Sequence, residues 1–62
     1  MQAKIAKHAL NDLRRRGWTG GRLVRLRAGV FGIEITAPDG EHATYQTFDD
    51  VRVKVKRLRA RS

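Results

Sequence analysis

The sequence predicts an α+β domain of order α-β-β-β-α, with an N-terminal helix, a three-stranded antiparallel meander and a C-terminal helix. Three observations carry this. Apolar residues recur at helical spacing near the start, at Ile5, Ala6, Ala9, Leu10 and Leu13. The pattern then changes to alternation from Arg22 onward. A second helical stripe, Phe48, Val51, Val55 and Leu58, closes the chain. With 62 residues and no cysteine, the chain is one small basic domain, residues 1–62, with a limited core and no disulfide.

Residues 2–16 read as the first helix. Gly17 supplies its stop, and Arg14, Arg15 and Arg16 crowd the last turn, where cations complement the helix dipole. "GWTGG" reads as a turn that folds Trp18 back over the core. In "RLVRLRA", Val24, Leu26 and Ala28 point one way and Leu23, Arg25 and Arg27 the other. "VFGIEITA" alternates again, placing Phe31, Ile33 and Ile35 on one face and Gly32, Glu34 and Thr36 on the opposite one. "PDG" at 38–40 is a hairpin turn, because Pro38 presets φ and Gly40 accepts a positive φ. "EHATYQT" is the return strand.

Residues 51–60 fit two readings. "VRVKVK" alternates as a fourth strand would, yet the stripe from Phe48 to Leu58 has helical spacing. Thr47 followed by Asp50 resembles a capping box, and acids at 49 and 50 with bases at 54, 56, 57, 59 and 61 match the polarity of a helix dipole. Helix is the favoured reading.

The charge is segregated along the chain. Residues 1–27 carry a net +7, residues 28–50 a net −5 and residues 51–62 a net +6, giving +8 overall. If both helices and the first strand lie together, the domain is bipolar, with a basic side and an acidic edge at the second hairpin. A basic side of this kind, rich in Arg over Lys, suits phosphate. The expectation is a nucleic-acid-binding protein of the cytoplasm, DNA before RNA, that holds the phosphate backbone through a basic face. Its contact residues would be Arg14, Arg15, Arg16, Arg22, Arg25 and Arg27 as one group, and Lys54, Lys56, Arg57, Arg59 and Arg61 as a second. Small size and high charge also suit a phage or other mobile element.

The run "GVFGIEITAPDGEHATYQTFDDVRVKVKRL" resembles the three-stranded-sheet-plus-helix DNA-binding domains of ethylene-response factors and the arm-binding domains of tyrosine integrases. Gly29, Phe31, Ile33, Ile35, Asp39, Gly40, Thr47, Phe48 and Asp49 match that outline over residues 29–58. The resemblance implies a DNA-binding sheet. Those families read DNA with basic residues on the sheet, whereas here the second and third strands carry none.

The rival class is a small protein-binding inhibitor or adaptor. It would use Glu34, Asp39 and Glu41, or its basic face, to block a larger protein that handles nucleic acid. The acidic edge could also meet the basic side of a second copy, giving a homodimer. An enzyme is not expected. There is no cysteine, Ser62 is the only serine, and His8 with His42 is too small a set for a metal. Glu34 and Glu41 could face each other as an acid pair, but a domain of this size offers no sugar-sized cleft. No cofactor is implied. The apolar face of the first helix (Ile5, Leu10, Leu13 and alanines) is too thin for a membrane anchor, and core packing is its expected use.

Overall fold

A computed structural model describes residues 1–61, leaving Ser62 outside the described residues. The element order is α1 (Ala3–Arg15), β1 (Thr19–Arg27), β2 (Val30–Thr36), β3 (His42–Tyr45) and α2 (Phe48–Arg61). The strands form one antiparallel sheet in the order β1-β2-β3. This is the predicted α-β-β-β-α fold.

α1 buries Ala6, Ala9, Leu10 and Leu13, one stripe of the helix, against the sheet. Its end is a Schellman motif. Gly17 adopts φ 94°, its amide donates to the Arg14 carbonyl (3.2 Å), and the Trp18 amide donates to the Leu13 carbonyl (3.1 Å). That turn returns Trp18 to the core, where it meets Tyr45 edge-on at 5.9 Å between ring centroids.

β1 begins at Thr19, earlier than the alternation suggested, so only the first part of "GWTGG" is a turn. Gly20 and Gly21 have φ of 68° and 100°, and the register slips between Thr19 and Arg22. Such a bulge needs residues tolerant of positive φ. Gly21 is also where α1 comes closest: a Cβ there would lie 2.6 Å from Leu10 Cδ1.

Ladder partners define the two sheet faces. Leu23 lies opposite Ile33, Arg25 opposite Phe31, Ile33 opposite Tyr45 and Ile35 opposite Ala43, and this face is covered by the helices. The other face carries Arg22, Val24, Gly32, Glu34, Thr36, His42 and Thr44. Ile33 and Ile35, on the central strand, are fully buried.

In the 37–41 turn the Gly40 amide donates to the Ala37 carbonyl (2.9 Å) and Gly40 takes φ 91°. Residues 48–61 are helical. The Asp50 amide donates to Thr47 Oγ1 (3.1 Å), Val51 is buried, and Val55 and Leu58 pack against the core. Capping and the 3.6 period outweigh the local alternation of "VRVKVK". Among the described residues, no helix is long and apolar enough to cross a membrane.

Candidate functional site

The helices bring part of the two basic clusters together. Main-chain bonds between Met1 and Phe31 hold the start of α1 at the β1–β2 hairpin end, while Leu10 reaches Gly21 near the other end. α2 returns along β3 toward the 37–41 turn, where Lys54 and Arg61 meet Asp39. Both helices therefore run toward the same end of the sheet, and their cationic C-terminal turns converge there.

Between them lies a groove of about 280 Å³. Ala9, Leu13, Val51 and Val55 supply its apolar lining, with Phe48, half exposed, on the α2 side. Arg16, Arg52, Lys56 and Arg59 are its cationic members and Asp12 its one carboxylate. Asp12 is bonded to Arg16 (3.1 Å), and Arg52 lies 3.8 Å from Asp49. Both pairs are exposed and local on their helices, so they hold their partners weakly and leave the guanidinium groups able to turn to an anion.

The predicted first contact group is divided. Arg14 is spent on structure: its Nε and Nη2 donate to the carbonyls of Gly20 and Gly21 (3.0 and 2.9 Å), tying the bulge to the helix end. Arg22 bonds Glu34 across the open sheet face (3.0 Å). Arg25 and Arg27 sit near the hairpin end, roughly 20 Å from Arg16, the length of a 13-residue helix. Arg15 is exposed beside Arg16.

In the second group, Lys56 and Arg59 line the groove, whereas Arg57 faces the β3 side with Glu41, Thr44 and Asp50. Lys54 does not belong to the exposed set. It is buried, donates to Asp39 (2.7 Å) and lies 3.2 Å from Glu41, with Arg61 at 3.7 Å from Asp39. The expectation of carboxylates standing apart from the bases is therefore corrected at this hairpin. A lysine on the Val51–Val55–Leu58 face must sink with its neighbours, and only a nearby acid lets it do so charged. The 51, 54, 55, 58 spacing was the sequence signal for this, and the charge count alone hid it.

This clasp sets a pH dependence. The hydrogen bond from Lys54, then that from the Glu41 amide, hold the Asp39 carboxyl below its ordinary 3.8. The Asp39 bond, partly opposed by burial and reinforced by Glu41, lifts Lys54 above its ordinary 10.5. A lowered carboxyl contributes stability that is present above its unfolded value and lost as pH falls through the folded one. A raised amine contributes stability that is present below its unfolded value and lost as pH rises through the folded one. The clasp thus acts fully between the two ordinary values. Thermal melts followed by Trp18 fluorescence should show Lys54→Met less stable than the parent at about pH 7, with the gap narrowing by about pH 3. A gap independent of pH would show that the lysine acts through packing alone.

Glu34 and Glu41 do not form the acid pair considered above. Glu34 is on the open sheet face opposite Thr44, within reach of Arg22 and His42 (3.7 Å), while Glu41 turns to Lys54. Among the described residues there is no group of three or more potential metal ligands. Comparison with protein families, curated proteins and solved structures finds no match for this chain.

Proposed function

We propose that the protein is a small nucleic-acid-binding protein that holds phosphates along the α1–α2 groove, with Arg16, Arg52, Lys56 and Arg59 as contact residues and Arg15 at the margin. One observation carries the reading: bases far apart in sequence, from residues 16 and 52–59, line a single groove in a chain of net charge +8. Concentrated positive potential attracts polyanions and releases their counterions on binding. The groove cations are mostly arginine, whose planar fork fits phosphate in two-point contact. The origin in a phage or other mobile element belongs to this proposal, as does a cytoplasmic location.

The protein-binding alternative loses part of its support. Two of its three carboxylates, Asp39 and Glu41, are held by Lys54 and the third, Glu34, by Arg22.

The reading is tested by fluorescence anisotropy with a labelled oligonucleotide between about 50 and 200 mM salt. With about 4 phosphates engaged, log K should fall against log salt with a slope of about −3 on a single strand and about −3.5 on a duplex. Undetectable binding or a slope near zero would remove the proposal.

A further inference from the structure

The groove is more than a cationic strip. Its lining is apolar from Ala9 and Leu13 across to Val51 and Val55, and Phe48 stands 51% exposed beside it. An aromatic ring left half in water, although on the helix's apolar stripe, is surface that a ligand could cover. Phosphates would gain nothing from it. The ring and the apolar lining call for a flat, weakly polar group carried on an anionic chain.

We infer that the groove takes single-stranded nucleic acid, with an unpaired base over Phe48 and phosphates further along the strand on Arg16, Lys56 and Arg59; this rests on the nucleic-acid reading above. In a duplex the bases are stacked inside and the surface offered is mainly phosphate and groove edge. The groove has a volume of about 280 Å³, the scale of a base with its sugar, and a duplex cannot enter it far enough to bring a base to its lining. A single strand can turn one base inward while its backbone follows the rim, which is how aromatic platforms combine with basic channels.

The placement of charge agrees. Phe48 and Asp49 open α2, whereas Lys56 and Arg59 lie two to three turns further on, beside Arg16 at the end of α1. The apolar surface and the strongest positive charge are thus offset along the groove. The 8 to 11 residues of helix between them span about 12–17 Å, so a base at Phe48 and phosphates at Lys56 and Arg59 belong to successive nucleotides of one strand. Asp12, the single carboxylate in the lining, supplies an acceptor for an exocyclic base amine.

The experiment compares a labelled single strand of about 12 nucleotides with the duplex of the same sequence, using the parent, Phe48→Ala and Phe48→Trp. The single strand should bind the parent about 10-fold or more tighter than the duplex. Phe48→Ala should lose about 10-fold on the single strand, with its salt slope and its duplex affinity unchanged, and Phe48→Trp should retain or exceed the parent's affinity. Buried Trp18 provides the folding control through its fluorescence in the Phe48→Ala variant.

Failure of both nucleic acids to bind would overturn this inference together with the reading it rests on. Equal or tighter binding of the duplex, or a single-strand affinity indifferent to Phe48→Ala, would overturn this inference alone. Displacement of a bound strand by an acidic amphipathic peptide that itself binds more tightly would also overturn it, by showing the groove to be a protein site.

Discussion

Ile33→Ala should remove about half of the domain's stability. Ile33 is fully buried on the central strand, opposite Leu23 on one side and Tyr45 on the other. Truncating a buried isoleucine costs about 2–5 kcal/mol, combining lost transfer energy with the cavity left behind. A 62-residue domain has a total stability of only about 3–9 kcal/mol. No disulfide is available to hold the chain, and the core has little else to redistribute. Urea titration followed by Trp18 fluorescence should show the midpoint lowered to about half of the parent's value or less. Val53→Ala, at a position half exposed on α2, should shift the same transition by no more than about 0.5 kcal/mol. Similar effects at the two positions would contradict the assignment of the core.

The combined variant Arg16→Ala, Lys56→Ala, Arg59→Ala should weaken oligonucleotide binding by roughly 50- to 200-fold near 0.15 M salt. Each lost phosphate contact also removes counterion release, so the salt slope should flatten by about 2 to 3 units. Stability should change little, because these side chains are exposed and the Arg16–Asp12 pair is local to α1. The matching control is Arg25→Ala, Arg27→Ala, which removes cations from the hairpin end and should leave the slope nearly unchanged. Two variants with equal slopes would mean that the protein acts as a diffuse cation and has no defined groove.

Local signals carried the architecture. Gly17 after a run of arginines, the Pro38-Asp39-Gly40 turn and Thr47 before Asp50 each act within a few residues, and each has its predicted place in the fold. The start of β1 was less legible because two positive-φ glycines let Thr19–Gly21 join the ladder through a bulge that alternation does not encode. The candidate site was legible only in part. Charge segregation pointed to Arg16, Lys56 and Arg59, but which bases remain available depends on tertiary pairing. Lys54 is claimed by Asp39 and Glu41, Arg14 by two backbone carbonyls, and Arg22 by Glu34. Phe48 was read as part of the helix's apolar stripe, yet α2 rotates Val51 inward and leaves Phe48 half in solvent at the groove. These outcomes depend on where two helices end relative to each other, which no short stretch of sequence reports.

The most direct test is an NMR titration of the ¹⁵N-labelled protein with a short single-stranded oligonucleotide. The amide shifts that move should cluster on both walls of one groove, at Ala9–Arg16 from the first helix and Phe48–Arg59 from the second. The hairpin residues Arg25 and Arg27 and the open-face residues Glu34 and His42 should stay still. Perturbations centred on the hairpin or on the uncovered sheet face, with the helix pair silent, would contradict the account.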